Sequence, residues 1–320
     1  MRPVKYVLFV IALAALAALA VRAGLAELVR TLAVLGWGGF AIVTLLHVPV
    51  IVAMGLAWWS AGQGAAAPSS FVAARWVRDS VGEVLPFSQI GGFLSGVRAL
   101  NLGGARLVSA ALSMLADLVA EFAAKLPYVL AAILALVALL GGGYLVQPMV
   151  AALVLIAAGA ALVFLFRARL IETFENAAGR MVRTWIPGAR EVRLNLARYF
   201  SRDRFVPDFS IHLIAWFYGA LEAWVTFRLM GIRITGVEAL VIDSLGTSLR
   251  TLGFMVPAAA GVQEAGYVLV SLVFGITPAQ AIAFSLARRA RDLAIGLPGL
   301  GLWQYLEAKA FRSLSVTTPP

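Results

Sequence analysis

Charged residues within long apolar stretches are the positions of this sequence that could do chemistry. Asp117 and Glu121 stand four residues apart in one such stretch, and Arg288 and Arg291 stand in another near the carboxyl end. A charge at the centre of a bilayer costs about 2.5 to 3.5 kcal/mol on insertion scales, so it usually faces a cavity or a partner. We therefore expect these side chains to bind a polar group. For Arg288, a salt bridge to Asp292 one turn further on is the alternative.

Two further stretches, 80–102 and 236–257, are apolar on average but are interrupted by charge, proline and glycine. Each shows an Asp-Ser-aliphatic-Gly start, a proline, a small-residue turn and an ionisable residue on the next helix. The residues of this pattern are Asp79, Pro86, Gly91, Gly92 and Arg98 in the first stretch, and Asp243, Arg250, Pro257, Gly261, Gln263 and Glu264 in the second. The pattern predicts broken or re-entrant helices in a weak two-fold internal repeat, with the prolines and glycines as structural breaks. Chance similarity is the alternative.

Broken helices expose backbone N–H and C=O groups near the middle of the bilayer, where many transporters bind their substrates. We expect the polar residues of both stretches, together with the four charged residues of the apolar stretches, to bind a substrate in a cavity. The cavity would lie between repeat halves 33–166 and 208–302. For Arg98, Arg250 and Glu264 the alternative is structural ion pairing.

Histidine and cysteine, the common soft metal ligands, are scarce. The chain has no cysteine and two histidines, His47 and His212. Neither histidine has a second one three or four residues away, so no metal and no other cofactor is expected. His47 precedes Pro49, which favours a hydrogen-bonded residue at a helix kink. His212 lies near the start of a predicted span, which favours a place at the membrane interface.

Composition predicts a membrane protein. The chain is 62% hydrophobic and 13% charged, whereas a soluble domain has about a quarter of its residues charged. Its long unbroken apolar blocks can cross hydrocarbon only as helices, so we expect an all-α polytopic bundle in one transmembrane domain, residues 1–320. The net charge of +10 reflects arginines clustered in the loop 167–206. That clustering is typical of a cytoplasmic loop facing anionic phospholipid headgroups and does not require nucleic acid.

Uninterrupted spans are predicted at 4–21, 33–58, 107–124, 126–145, 148–166, 208–230, 262–275 and 279–300. With the two interrupted stretches the total is eight to ten, and both termini then lie in the cytoplasm. We expect the arginine-rich loop to form amphipathic helices on the headgroups, with a solvated connector as the alternative. Residues 1–22 are interpreted as a retained helix, with a signal peptide as the alternative. This layout is typical of a multi-pass protein of the bacterial inner membrane.

Two signature stretches carry a resemblance to a known family. They read RWVRDSVGEVLPFSQIGGFLSGVRAL and GFMVPAAAGVQEAGYVLVSLVFGITPAQAIAFSLARRARDL. They resemble the flippase-like family that includes the transmembrane domain of lysylphosphatidylglycerol synthase, and the first is most similar to the hopanoid-biosynthesis-associated HpnL type. The resemblance spans essentially the whole chain. The chain departs from the family's Gly-Glu-x-x-Arg wording at Gly96-Val97-Arg98, which leaves the partner of Arg98 open.

The resemblance implies that the protein moves a lipid between leaflets or presents it. The implied substrate is a hopanoid or a related polyprenyl lipid or phospholipid, with its headgroup held by intramembrane arginines and Glu264 orienting one of them. No GxxxxGK[ST] motif for ATP is present, so movement would be passive, ion-coupled or driven by metabolism elsewhere. The chain is not expected to be an enzyme. The alternatives are an intramembrane lipid-modifying enzyme using Asp117, Glu121 or Glu264, and a scaffold for lipid-biosynthesis proteins.

Overall fold

The structure, a computed structural model, describes most of the chain. It covers the backbone of residues 2–84, 89–141, 198, 201–252 and 262–317, and the side chains of residues 24–84, 91–141, 198, 201–249 and 263–312. Within these ranges the regular secondary structure consists of eight helices and no strand, which confirms the all-α class. The predicted span 148–166 and most of the loop 167–206 lie outside the described residues.

The helices follow one another with short connections wherever both ends are described. The bounds are α1 Arg2–Ala61, α2 Pro68–Val84, α3 Gln89–Leu102, α4 Leu107–Leu140, α5 Arg202–Leu229, α6 Gly236–Leu252, α7 Val262–Leu272 and α8 Pro278–Thr317. Two of them begin with a capping box. Thr235 and Glu238 exchange side chain to backbone hydrogen bonds of 2.7 and 3.2 Å before α6, and Thr277 and Gln280 do the same at 3.1 and 3.2 Å before α8. These bonds satisfy amide groups that the first helical turn leaves without partners.

One pair of predicted spans merges into a single helix. Spans 107–124 and 126–145 were separated at Lys125, but α4 runs through this position and through Pro127 for 34 residues. At about 1.5 Å per residue, α4 is longer than the roughly 30 Å hydrocarbon core. Spans 4–21 and 33–58 both lie within α1 but remain separate segments of it, because Gly24 and Gly36 leave helical geometry with φ values of 101° and 56°. These are positive φ angles that glycine adopts without steric cost.

Each interrupted stretch belongs to a pair of short helices that flank residues that are not described. The first pair is α2 and α3, of 17 and 14 residues, and the second is α6 and α7, of 17 and 11, where α7 corresponds to the predicted uninterrupted span 262–275. Each of these helices is shorter than the roughly 20 residues that cross a bilayer. The arms of each pair pack against each other as a helical hairpin, because Gly92 on α3 faces Arg78 and Gly82 on α2, and Gly266 on α7 faces Leu249 on α6.

The predicted role of Gly91 and Gly92 as helix breaks is wrong. Both residues lie inside α3, which begins at Gln89. A β-carbon added at Gly92 would lie 2.7 Å from the backbone oxygen of Arg78 and 3.2 Å from the Cα of Gly82. Gly92 therefore serves close approach of two backbones, as small residues commonly do where membrane helices pack.

Many charged side chains are buried and many large apolar side chains are exposed, the opposite of the arrangement in a soluble protein. The buried core holds Phe227, Phe284 and Tyr267, but also many charged residues, whereas large apolar side chains such as Trp37 and Leu45 are 86% and 68% exposed. The segments Gly24–Ala61 and Leu107–Leu140 have mean hydropathies of 2.3 and 2.2 and are long enough to cross a membrane. An apolar outer surface that water would disfavour is suited to lipid.

Candidate functional site

Two groups of buried ionisable side chains lie inside the helix bundle. The first ionic cluster consists of Arg75, Arg78 and Asp79 on α2, Asp117 and Glu121 on α4, and Asp208 and His212 on α5. The second ionic cluster consists of His47 on α1, Tyr128 on α4, Glu222 on α5, Asp243 on α6, Glu264 on α7, and Arg288, Arg289, Arg291 and Asp292 on α8. Together the two clusters join seven of the eight described helices.

The centre of the first cluster is a set of arginine to carboxylate bonds between α2 and α4. The Arg78 guanidinium donates to Asp117 at 3.1 Å and to Glu121 at 2.9 Å. Arg75 donates to both oxygens of Glu121 at 3.2 Å and, through Nε, to Asp79 at 2.8 Å. Charge-assisted bonds of this kind are the strong ones in a low-dielectric interior. They tie the first arm of the α2–α3 hairpin to the long helix α4.

The imidazole of His212 lies between two carboxylates. Its Nε2 is 3.0 Å from Asp117 Oδ1 and 3.2 Å from Asp208 Oδ1, and its Nδ1 is 2.9 Å from the sulfur of Met54 on α1. His212 and Asp117 are fully buried and Asp208 is 1% exposed. The predicted interfacial place of His212 is therefore wrong. The position looked interfacial because it is close to the start of α5, but the face it occupies points into the bundle.

Three closely spaced arginines of α8, Arg288, Arg289 and Arg291, supply the positive charges of the second cluster. Arg288 pairs with Asp243, which also accepts a hydrogen bond from the Tyr128 hydroxyl at 2.6 Å. The local alternative of an Arg288 to Asp292 bridge is thus not what the structure contains; Asp292 pairs with Arg291 at 2.7 Å instead. Arg288 faces α6, so its partner comes from a neighbouring helix and not from the next turn of α8.

Two more carboxylates complete the second cluster. Glu222 lies 3.0 Å from Arg291 Nη1 and 3.0 Å from His47 Nδ1, so it joins α5 to α8 and α1. Glu264 lies 2.6 Å from Arg289 Nε and accepts a hydrogen bond from a serine hydroxyl of α8 at 3.2 Å. Glu264 is fully buried and Glu222 is 3% exposed. A buried carboxylate without such partners would cost several kcal/mol.

Helical spacing places these residues on the inner faces of α4 and α5. Ionisable residues recur on α4 at Asp117, Glu121, Lys125 and Tyr128, and on α5 at Arg204, Asp208 and His212. Steps of three or four residues repeat one face of a helix, so each set forms a stripe along its helix. Lys125 stacks on the Trp216 ring at 4.7 Å and reaches the carbonyl oxygen of Thr247 on α6 at 3.5 Å. It therefore lies between the two clusters.

Three groups of the first cluster have the chemistry of metal ligands. One atom each of Asp117, Glu121 and His212 lies within 4.8 Å of the others. Arg75 and Arg78 already supply positive charge and hydrogen bonds to both carboxylates. The carboxylates are saturated by these arginines, and we assign no metal to them.

Most of the predicted substrate-binding residues that the structure describes belong to the two clusters. Six of them take part in buried ion pairs: Asp117, Glu121, Asp243, Glu264, Arg288 and Arg291. Asp79, whose side chain is 36% exposed, pairs with the buried Arg75. Gln263 is buried beside Glu264 at 3% exposure. The side chain of Arg250, and the residues Pro86, Pro257 and Gly261, lie outside the described residues.

Arg98 does not lie with the other arginines. Its side chain is 47% exposed and forms a two-bond pair with Glu307 near the end of α8, with both distances 3.0 Å. The expected position in a buried cavity beside a helix break is therefore wrong. Arg98 comes nine residues after the start of α3, far enough along the helix to leave the break behind.

Several cluster members were not singled out from the sequence. Arg75 and Arg78 stand just before the interrupted stretch and look like flanking interfacial charges. Glu222 and Tyr128 are isolated polar residues in apolar segments. For Glu222 the available signal was burial cost, because a charge this far inside the predicted span 208–230 needs a partner.

The fold and the clusters define a helical membrane protein with charged groups sequestered inside it. Residues 6–299 match the model of the family described as lysylphosphatidylglycerol synthase TM region. The chain belongs to this family. Comparison with curated proteins and with solved structures finds no match. Family membership supports a lipid-related function in the membrane, and the hopanoid-associated type is not confirmed.

Proposed function

We propose that the protein is a membrane lipid translocase or carrier. The observation that supports this most directly is the pair of ionic clusters, in which residues such as Asp117, Asp243 and Arg291 are at most 3% exposed inside a membrane bundle. Charges in such a place are costly to keep, and in membrane proteins they usually mark the path of a polar group. Membership of the lysylphosphatidylglycerol synthase TM region family makes a lipid headgroup the natural polar group.

The headgroup would bind by exchanging partners with existing ion pairs. Arg288 and Arg291 are already paired with Asp243 and Glu222, so an anionic headgroup would replace a carboxylate at one guanidinium while the carboxylate moves to another donor. Because the arginines lie within one turn of α8, the displaced carboxylate would have only a short distance to move to its new donor. Acyl or polyprenyl chains would stay along the apolar outer faces of the helices. The proposed substrate class is a hopanoid or a related polyprenyl lipid or phospholipid.

We also propose that the two helical hairpins are copies of one unit that re-enters the membrane. Both hairpins are followed by a turn and a long helix that pairs with the unit, α4 through Asp117 and Glu121 and α8 through Arg288 and Arg289. In the first unit arginines of the hairpin pair with carboxylates of the long helix. In the second unit carboxylates of the hairpin pair with arginines of the long helix. A multi-pass place in a bacterial inner membrane, with both termini in the cytoplasm, completes the proposal.

The lipid-modifying alternative receives less support from the geometry. A general acid or base needs a carboxyl that reaches the substrate. Asp117 and Glu121 are instead held by two arginines, and Glu264 is held by Arg289. We therefore propose that the chain is not an enzyme and that these carboxylates organise the arginines.

A liposome assay tests the proposal. Purified protein is reconstituted with a fluorescent phospholipid, and a membrane-impermeant quencher reports how much of the label changes leaflet. We expect movement with the natural chain, loss in Arg291→Gln and Glu222→Gln, and normal movement in the matched control Arg98→Gln, whose arginine lies at the surface. Each variant is first shown to be monodisperse by gel filtration.

Three other outcomes contradict the proposal. Equal movement in protein-free liposomes rules out translocation of this class of lipid. A chemical change in the recovered lipid favours the enzyme. Normal lipid movement in the Arg291 variant, with lost assembly of lipid-biosynthesis proteins around the chain in cells, favours the scaffold.

A further inference from the structure

One ring nitrogen of His212 faces two carboxylate oxygens but can donate only one hydrogen. Nε2 of His212 can carry one hydrogen, yet it faces Asp117 Oδ1 at 3.0 Å and Asp208 Oδ1 at 3.2 Å. The Asp117 contact has hydrogen-bond geometry, and Asp208 Oδ1 is left without a hydrogen-bond partner. Asp208 is 1% exposed, so bulk water does not solvate this oxygen. A buried acceptor in this position normally has a partner.

The same three atoms accommodate the hydrogen in two arrangements. In the first, both ring nitrogens carry a hydrogen, so the imidazolium donates from Nε2 to Asp117 and Asp208 is ionised. In the second, the Nε2 hydrogen has moved to Asp208 Oδ1, and the neutral imidazole keeps its hydrogen on Nδ1 beside the Met54 sulfur, 2.9 Å away. The proton moves across the 3.2 Å between Nε2 and Asp208 Oδ1.

The surrounding charges leave room for one proton. Asp117 on α4 and the uncharged Met54 on α1 contact His212. Arg75, Arg78 and Asp79 on α2 and Glu121 on α4 belong to the ion-pair network that holds Asp117. Arg204, one turn before Asp208 on α5, donates to the backbone carbonyls of Ala61 and Gln63. With Asp208 included, four carboxylates meet three guanidinium groups, and one added proton balances the sum.

We propose that Asp208 and His212 form a binding site for one exchangeable proton and that this proton is the coupling ion of lipid movement. The coupling part rests on the proposed function. The site lies on α5, contacts α1 and α4, and is linked to α2 through Asp117, so loading and unloading it changes the charge at the junction of four helices. A change of one unit charge in a buried network alters which ion pairs are favourable. The proton comes from water on one side and returns to water on the other, and no other reactant is needed.

Infrared difference spectroscopy tests the site without any lipid assay. The full-length protein in liposomes is cycled between about pH 8 and about pH 5, a range in which imidazole and buried carboxyl groups can exchange protons. We expect a carboxylic acid C=O band that appears at the lower pH, is lost in Asp208→Asn, and persists in the matched control Asp203→Asn on the exposed start of α5. His212→Gln should shift the band rather than abolish it. Absence of any such band in the natural chain overturns the proton site whether or not the variants fold.

Lipid movement under a pH difference tests the coupling. We expect at least a several-fold faster movement with a pH difference than without, loss of this acceleration on adding a protonophore, and no acceleration in Asp208→Asn. If lipid moves but ignores the pH difference while the infrared band is present, the coupling is overturned and both the site and the translocase stand. If the band is present and no lipid moves, the proposed function fails and the proton site stands.

Discussion

Arg78 gives the clearest measure of how strongly single residues matter in this protein. It donates to Asp117 and Glu121 from a side chain that is 8% exposed, and its guanidinium lies over the Phe93 ring at 4.9 Å. Removing one partner of a buried ion pair leaves the other charge without compensation. Arg98 offers the surface counterpart, because it pairs with Glu307 in contact with solvent. The two arginines form a matched pair for measurement.

We predict that Arg78→Gln lowers the free energy of unfolding by about 3 to 5 kcal/mol, as breaking a buried pair does. Arg98→Gln should cost less than about 1 kcal/mol, as is usual for an exposed pair. Thermal unfolding of both variants in the same detergent measures the difference. Equal losses for the two substitutions would show that the first cluster is as solvated as the surface.

The pair of Arg98 and Glu307 should make a small, acid-sensitive contribution to stability. The hydrogen bond from Arg98, helped by its charge, holds the pKa of Glu307 below its usual value. A depressed pKa gives stability that is present above the unfolded-state pKa of about 4.3 and is lost as the pH falls through the lower folded-state value. We expect the stability difference between the natural chain and Arg98→Gln to be present at about pH 7 and to close by about pH 3. A difference that is independent of pH would contradict this pairing.

The sequence predicted which charged residues need a partner but not which residue each of them pairs with. Burial cost identified Asp117, Glu121, Asp243 and Glu264 as needing partners, because that cost depends on residue type and apolar surroundings. The identity of each partner depends on which helices pack together. His47 and Glu222 are 175 positions apart in the chain, yet their side chains are 3.0 Å apart. Only the local i,i+4 partners were visible in the sequence, and for Arg288 the local partner was wrong.

At the level of elements, the hairpins depend on small residues where their arms touch. Gly92 and Gly96 on α3 both lie against Arg78 of α2, with room for no further atom between the backbones. Arg78 is also the donor to α4, so this approach positions the guanidinium that holds the first cluster together. Packing of the α2–α3 hairpin and placement of the charges are therefore one structural requirement.

We predict that Gly92→Ala lowers the free energy of unfolding by about 1 to 3 kcal/mol, the usual cost of overpacking. The added methyl would meet the Arg78 backbone oxygen at 2.7 Å, and backbone cannot move aside as a side chain can. Gly301→Ala is the matched control, since nothing lies within 4 Å of its added carbon, and it should be neutral or up to about 1 kcal/mol more stable. Chemical denaturation in mixed micelles measures both. A harmless Gly92→Ala would mean that the two arms can separate freely.

The elements themselves were partly predictable. Strong apolar runs located α1, α4, α5, α7 and α8, and the Gly and Pro pattern located α3, α6 and the end of α2. The predicted boundary between spans 107–124 and 126–145 failed because the charge of Lys125 does not end the helix. Pro127 does not end it either, since proline removes one backbone hydrogen bond while the other bonds and the packing remain. The carboxyl end of α8 was also missed, since its continuation beyond position 300 lacks the apolar signal of a span.

At the scale of the whole molecule, the exposed apolar surface is expected to contact lipid chains. The Leu45 side chain on α1 is 68% exposed, and the charged Arg98 side chain on α3 is also exposed. The chain contains no cysteine, so single cysteines report one position each without further changes.

We predict that Leu45→Cys in membranes reacts with a lipid-soluble maleimide and resists a water-soluble one. Arg98→Cys should react with the water-soluble reagent in permeabilised vesicles, because its side chain reaches solvent beside Glu307. Ala223→Cys, in the fully packed core, should react with neither. Mass spectrometry of the labelled chain gives the extent of each reaction. Rapid labelling of Leu45→Cys by the water-soluble reagent would contradict a lipid-facing α1.

The polar inner stripe of α5 has a consequence for biosynthesis. As an isolated segment α5 would bring Asp208, His212 and Glu222 into the bilayer together, which is unfavourable. Its neighbours for the first cluster, Asp117 on α4 and Arg78 on α2, leave the ribosome earlier and are ready when α5 emerges. Arg291, which completes the pair with Glu222, is among the last residues made. A nascent chain interrupted before α8 therefore carries uncompensated acid within the membrane, a clear mark by which a quality-control protease can tell it from the finished protein.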